Sequence, residues 1–452
     1  MRVHFISIGG SVMHQLAIAL KRKGYTVSGT DDEIFEPSRT NLLNEGLLPS
    51  VMGWQPDLVT ANLDAIILGM HARADNPELI KAKDLGLKIY SFPEYIFHES
   101  QQKQRIVVGG SHGKTTTTSM IMHVLRFLSF EFDYLVGAKL DGFDQSVNIT
   151  NAPVIVCEGD EYPASAIERK PKFHFLFPHV AILTGIAWDH INVFPTFDFY
   201  LEQFVIFINK IEIGGLLIYN SSDPVLEKLV KDHPRTDIRY QPYAVPVHSI
   251  DNGKTTVTIE GVSGNLKVFG NHNLMNLLAA FYACKTLGVS ASDFIRAIGS
   301  FTGASKRLEL LASNDSVNVY RDFAHAPSKV KATIEALKQQ FPNRQLVAIL
   351  ELHTYSSLNE KFMHEYDGAL KQADIALVYF SKHALAIKQL PALAIEKVAE
   401  GFNQPGILVM NEKNQLQNWL TTQKFSATNI VLMSSGNYDG IDMLTFAKEV
   451  TL

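Results

Sequence analysis

The stretch "RIVVGGSHGKTTTTSM", residues 105 to 120, limits what this chain can become more tightly than any other. Ile106 to Val108 make a short apolar run, Gly109, Gly110 and Gly113 make a turn, and Lys114 and Thr115 open a segment of helical spacing. Strand, glycine turn and helix in that order form a phosphate-gripping loop of an α/β domain. Its backbone N–H groups cradle phosphate oxygens, Lys114 neutralises terminal phosphates, and the Thr115 hydroxyl is placed to ligate Mg2+. A standard loop of this kind carries Gly where Val108 stands, so only the G-x-x-G-K-T core is intact. The loop lies well inside the chain, so a separate module precedes it.

That module alternates short apolar runs with amphipathic helical segments: "VHFISI", "HQLAIALKRKG", "YTVSGTD", "LDAIILGM" and "LKIYSF". A length of 452 residues, at roughly 150 per domain, implies about three domains. The expected fold is α/β in three parts: a Rossmann-like parallel sheet over 1–98, a central P-loop ATPase-type α/β domain over 99–300, and a C-terminal Rossmann-like α/β domain over 301–452. The first boundary falls in the polar "FHESQQKQR", residues 97 to 105. The second follows "ASDFIRAIGSFTGASKR", beyond which "NVYRDFAHAP", "QLVAILE", "DIALVYF" and "NIVLMSSG" read as four strands.

In "SIGGSVMH" the first strand turns into a helix, and Gly9, Gly10 and Ser11 let the backbone approach a phosphate. The dinucleotide fingerprint G-x-G-x-x-G is not met, which argues against NAD. Asp31, after the second strand, either touches a ribose or, with Asp32, caps the next segment.

Further strand ends are loaded with polar residues. "VIVCEGDEYPAS" ends in Glu158, Asp160 and Glu161, oxygen ligands that suit Mg2+, unless they form a solvated acidic turn. "VAILTGIAWDHINVF" ends in Asp189 and His190. In "GNHNLMNLLAAFYAC", His272 and Asn276 lie four apart on one helical face, and Asn273 can serve as a cap. Lys306 and Arg307 in "TGASKRLELL" can clamp a transferring phosphoryl group. Asp322 and His325 close another strand, and "ELHTYSSLNEKF" offers His353, Thr354, Tyr355 and Ser356 to a peptide carboxylate, or is a plain polar loop.

The formal charge of −5, with no run of Lys or Arg, disfavours nucleic acid as a partner. Two cysteines, Cys157 and Cys284, are too few for a disulfide framework. No leader pattern and no apolar run of about 20 residues is seen, so a cytoplasmic protein without membrane contact is expected.

With these stretches assembled, the chain resembles the Mur ligases, the ATP-dependent amide-forming enzymes of peptidoglycan assembly. "GGSHGKTTTT", "CEGDEY", "DHINVF", "GNHNLMN", "SKRLEL", "DFAHAP" and "VLMSSGNYDGI" fall in family order along nearly the whole chain. The resemblance implies ATP and Mg2+ as cofactors. Gly110, Ser111, His112, Gly113, Lys114, Thr115 and Thr116 would hold ATP, with His272, Asn276, Arg307 and Asp322 adding contacts. Thr115, Glu158 and His190 would hold the metal, and Lys114, Glu158, His190 and Arg307 would act in catalysis. Gly9, Gly10, Ser11, Asp31, His71, Arg73 and Asn76 would bind a UDP-sugar, and His325, His353, Tyr355 and Ser356 the amine substrate.

"HFISIGGSVMHQLA" looks like the branch acting on UDP-N-acetylmuramate. "CEGDEYPASAIERKPKFHFLFPH", "DFAHAP" and "MSSGNYDGI" look like the recycling member, which rejoins L-alanyl-γ-D-glutamyl-meso-diaminopimelate to that nucleotide, more than like the branch that adds L-alanine. The resemblance further implies a bacterial monomer or weak dimer whose C-terminal domain closes over ATP. Departures occur at Ser7, Gly185, Ala187, Arg321 and Ala326, where the family commonly has Gly, Asn, an acidic residue, Asp and His. No lysine lies between His190 and Asn209 to be carbamylated, which fits the early and recycling branches. Two rivals stand: another ligase of this fold, such as one joining glutamate to folate, and a nucleotide-binding paralogue without catalysis.

Overall fold

A computed structural model describes residues 1–137, 140, 142–165, 167–188, 193–303 and 307–452. Four parallel strands open the chain: β1 (Arg2–Ile6), β2 (Thr26–Thr30), β3 (Ala65–Leu68) and β4 (Ile89–Ser91), in the order β2-β1-β3-β4. Helices α1 (Met13–Arg22), α2 (Ser38–Asn44), α3 (Pro77–Asp84) and α4 (Phe92–Ser100) accompany them. Both faces are buried, as a parallel sheet requires. Val3, Phe5, Ala65 and Ile67 share one cluster with residues of α1 and α4, while Ile6, Ile66 and Leu68 share another with Leu79 and Ala82 of α3. The start of α4 is fixed by a capping box between Ser91 and Glu94.

The second sheet has the order β11-β10-β9-β5-β8-β6-β7. Its strands are β5 (Gln104–Gly109), β6 (Asp133–Leu135), β7 (Val147–Asn148), β8 (Val154–Glu158), β9 (Val180–Leu183), β10 (Leu216–Asn220) and β11 (Arg239–Tyr243), with only β7 antiparallel to its neighbour. Helices α5 (Lys114–Phe127), α6 (Phe197–Asn209) and α7 (Pro224–Asp232) belong to it. β5 lies between β8 and β9, where the connections leave in opposite directions. In open α/β sheets that switch point is the place for a ligand.

The expected polar boundary over 97–105 is not a free linker. α4 runs to Ser100 and β5 begins at Gln104. Lys103 and Arg105 are buried. The Arg105 guanidinium donates to Ser100 O (3.0 Å), Phe177 O (2.7 Å) and Glu212 (2.6 Å), while Lys103 reaches Asp133 (2.8 Å) and two carbonyls. Charges that look solvated in sequence here tie the end of α4 to the second sheet and its loops.

Two compact units emerge: Met1–Val245 with Met275–Ile298, and Pro246–Leu274 with Gly299–Leu452. The first holds both sheets above and α9 (Ala291–Ile298), and α8 (Asn271–Lys285) has residues in each unit. The second unit contains an antiparallel sheet of β12 (Val247–Asp251), β13 (Lys254–Ile259) and β14 (Val262–Leu266). It also holds the six-stranded order β15-β16-β20-β17-β18-β19. These are β15 (Glu309–Ser313), β16 (Val317–Asp322), β17 (Gln345–Leu352), β18 (Ile375–Phe380), β19 (Leu408–Met410) and β20 (Thr428–Met433), all parallel except β15.

The four expected C-terminal strands are β16, β17, β18 and β20, and the sequence reading omitted the edge strands. Residues 246–274, assigned by sequence to 99–300, pack in the second unit. Thr255 donates to Gln340 (2.8 Å) of α10 (Pro327–Gln340), and Phe269 meets Tyr320 edge to face. Among the described residues no helix is long and apolar enough to cross a membrane.

Candidate functional site

At the C-terminal end of β5 the chain makes its sharp turn. Gly110 (φ +122°) and Gly113 (φ +84°) adopt left-handed backbone, and a Cβ at Gly113 would collide with the Asn276 amide. Neighbouring strand ends hold the loop. Ser111 N–H donates to Gly185 O (3.0 Å), Ala187 N–H donates to Ser111 Oγ (2.9 Å), and Ser111 Oγ meets the Tyr200 hydroxyl at 2.7 Å. The Thr184 hydroxyl, just past β9, donates to the carbonyls of Gly109 and His112. Thr116 is buried behind the loop in α5.

Lys114 Nζ donates to Gly110 O (2.6 Å) and to Glu161 Oε2 (2.7 Å), and Glu161 is 1% exposed. Burial opposes the ammonium, but the carboxylates of Glu161, Asp160 and Glu158 outweigh it and hold Lys114 above its usual range. Thr115 Oγ1 donates to Glu158 Oε1 (2.8 Å), and Gly137 N–H donates to Glu158 Oε2 (2.9 Å). This all-oxygen pair on facing strand and helix ends fits a hard cation. The three carboxylates of "CEGDEY" therefore do not act as one cluster: Glu158 faces Thr115, Asp160 pairs with Lys172 (2.7 Å), and Glu161 pairs with Lys114. His190 and Lys306 lie outside the described residues.

Two departures from the family pattern have local reasons. At Gly185 (φ +145°) a Cβ would sit 2.9 Å from the Asp223 carboxylate, which accepts Ile186 N–H (2.7 Å) and caps α7. Ala187 offers its backbone N–H to Ser111, a contact that does not depend on its side chain.

The first turn is built differently. Ser7, not glycine, takes the left-handed conformation (φ +71°), and its buried hydroxyl has no hydrogen-bond partner among the described residues. Asp31 Oδ2 accepts Gly9 N–H (2.7 Å) and Oδ1 accepts Asp32 N–H (3.0 Å), so its carboxylate braces the turn rather than capping a helix. Burial and Asp32 push the Asp31 carboxyl up to about 6, while Gly9 N–H and His71 pull it down. His71, Arg73 and Asn76 line a cavity of about 630 Å³ with Asp32, Phe35 and Trp54. Asn76 Oδ1 caps α3, and its buried Nδ2 has no partner among the described residues.

In the second unit, Asp322 ends β16 and accepts N–H groups from Leu308 (2.6 Å) and Ala324 (2.6 Å). Burial raises its carboxyl, and Arg307, whose guanidinium lies over the Phe323 ring at 5.0 Å, opposes that. His325 Nδ1 meets Phe323 O at 2.8 Å. Arg321 pairs with Glu309 across to β15 (2.8 Å), and Ala326 precedes Pro327 at the start of α10. Burial lowers the His272 imidazole to about 4. Asn273 is no cap: it lies inside α8 and donates to Phe269 O (2.9 Å). Past β17, Tyr355 and Ser356 are exposed, and the Thr354 and Ser357 hydroxyls lock the turn.

Sequence reasoning missed Glu351. It ends β17 nearly inaccessible, accepts bonds from Ser434 Oγ and Tyr438 N–H (2.8 Å), and lies 3.8 Å from His353 Nδ1. A carboxylate inside an apolar strand was its only signal.

Three family models match in succession: "Mur ligase family, catalytic domain" over residues 2–103, "Mur ligase middle domain" over 108–284, and "Mur ligase, glutamate ligase domain" over 306–436. The UDP-N-acetylmuramate–L-alanine ligase of a Sulfurihydrogenibium species is 30% identical over 414 residues, covering 90% of this chain and 88% of its own. The crystal structure of the UDP-N-acetylmuramate–alanine ligase of Thermotoga maritima is similar with a TM-score of 0.69, at 21% identity over 100% of this chain and 98% of that one. The UDP-N-acetylmuramate:L-alanyl-γ-D-glutamyl-meso-diaminopimelate ligase of Neisseria meningitides is similar with a TM-score of 0.59, at 25% identity over 66% of this chain and 98% of that one.

Proposed function

The chain belongs to the Mur ligases, ATP-dependent enzymes that form amide bonds in peptidoglycan synthesis, and from that premise we propose that it joins L-alanyl-γ-D-glutamyl-meso-diaminopimelate to UDP-N-acetylmuramate. Mur ligases use ATP and Mg2+. In this reading residues 1–98 hold the nucleotide sugar, 99–300 hold ATP, and 301–452 hold the peptide.

A carboxylate is a poor electrophile and must be activated. The muramate carboxylate oxygen bonds to the γ-phosphorus as the bond to ADP breaks, giving an acyl phosphate. The peptide amine then adds to the acyl carbon, phosphate leaves, and the nitrogen sheds a proton. Lys114 offsets charge on the phosphoryl group. Thr115 and Glu158 would hold Mg2+, which when bound would supply charge to polarise phosphoryl oxygens. Asn276, beside Gly113, supplies a nucleotide contact.

The observation that carries the ATP half is the Thr115–Glu158 contact of 2.8 Å beside Lys114. For the amine, Lys388 lies 5.3 Å from the ring centre of the 64% exposed Tyr355, a cation that an acidic peptide would meet and alanine would not need. The Neisseria ligase is named for that peptide. The second reading, an alanine ligase, draws support from the 30% identical Sulfurihydrogenibium enzyme.

Phosphate release from ATP with Mg2+ and UDP-N-acetylmuramate separates them. Turnover with the tripeptide alone is expected. Turnover with L-alanine alone would establish the second reading.

A further inference from the structure

Beneath the first glycine turn lies a cavity of about 190 Å³, lined by Ser7, Gly10, Ser11 and His71 from the N-terminal sheet and by Ala164 and Lys172 from beyond β8. Among the described residues Lys172 is the only lysine or arginine of its lining. Its side chain is about a quarter exposed, and its Nζ is held 2.7 Å from Asp160 Oδ2. An ammonium has three donors, so this pair leaves Lys172 able to meet an anion. Ser7 supplies a second, independent mark. It is 1% exposed, its hydroxyl has no partner among the described residues, and its backbone stays in the left-handed region that costs a non-glycine residue of order 1 kcal/mol or more. A buried orphan hydroxyl beside a cavity that a lysine lines wants an acceptor.

We infer that Lys172 is a substrate-binding residue, reaching across to the first turn to meet a diphosphate oxygen of the bound nucleotide sugar, with Ser7 contributing its hydroxyl. This rests on the uridine-nucleotide reading above and goes beyond it by assigning an anion ligand outside residues 1–98. Asp160 aims the lysine at the turn. The "CEGDEY" segment thereby serves both nucleotides, through Glu158 and Glu161 at the P-loop and through Asp160, which holds Lys172, at the cavity.

Titration of the full chain and of Lys172→Met with UDP, UDP-N-acetylmuramate, uridine and ATP–Mg2+ tests it. Loss of a charge-assisted hydrogen bond should weaken UDP and UDP-N-acetylmuramate alike by about 10- to 100-fold, leaving uridine and ATP within about twofold. Lys172→Arg should recover part of the loss. Unchanged UDP affinity in a variant that still binds ATP overturns the assignment, and so does a loss confined to UDP-N-acetylmuramate, which would place Lys172 on the muramate carboxylate. Wild-type protein that binds ATP but no uridine nucleotide would instead defeat the underlying reading.

Discussion

The chain turns from strand to helix over glycines at both Ser7–Gly10 and Gly109–Lys114, and the two turns are equipped in opposite ways. At the second, glycines occupy the left-handed positions, and neighbouring strand ends deliver Glu158 and Thr184 beside Lys114 and Thr115. At the first, a serine occupies the left-handed position, and the neighbouring strand end delivers Asp31, whose carboxylate already holds Gly9 N–H. In the proposed reading both strand-to-helix turns face phosphates. What separates a phosphoryl-transfer site from a binding site is the side chains that adjoining strands carry to the turn.

Substitutions should divide along that line. Lys114→Met is expected to lower kcat about 10³-fold, read as phosphate release, because it removes the charge that follows the phosphoryl group. Glu158→Gln should raise the Mg2+ concentration for half-maximal activity by at least about tenfold, in a magnesium titration at saturating ATP. An unchanged requirement would detach Glu158 from the metal. Ser7→Gly acts in the other sense: relief of left-handed strain and of a buried orphan hydroxyl should stabilise the fold by about 1 kcal/mol in urea unfolding. UDP binding should weaken at the same time.

The smallest effect concerns pH. The folded Asp31 carboxyl, at about 6, lies above the unfolded value of about 3.9. The folded state therefore holds that proton more tightly, and Asp31 makes stability fall as pH rises from about 4 to about 6. Asp31→Asn should flatten this part of the curve in urea titrations across that range, and an unaltered slope would assign it to another group.

Much of the second turn was legible in the sequence because its residues are contiguous and their types are diagnostic. Strand, glycines, Lys114 and Thr115 follow one another, and their order alone places them at a strand-to-helix turn. Less of the first turn was legible, since its character depends on distant partners: Asp31 on Gly9, and Lys172 on a cavity floored by Ser7. The same limit hid the lysine partners of Asp160 and Glu161, which sit in sequence as if they were Mg2+ ligands. Lys103 and Arg105 misled for a related reason, because a buried charge and a solvated one look alike until their carbonyl partners are seen. Residues 246–274 passed unread as strands because β12, β13 and β14 are short and half exposed, with Thr, Ser and Asn among few apolar positions.

The division of labour between the turns is tested most directly by titrating Lys114→Met with UDP-N-acetylmuramate and with ATP–Mg2+ in the same calorimeter. Sugar-nucleotide affinity within about twofold of wild type, alongside weakened ATP binding, is the predicted result. Equal loss of both ligands in a folded variant would contradict it, because the two nucleotides would then depend on one turn.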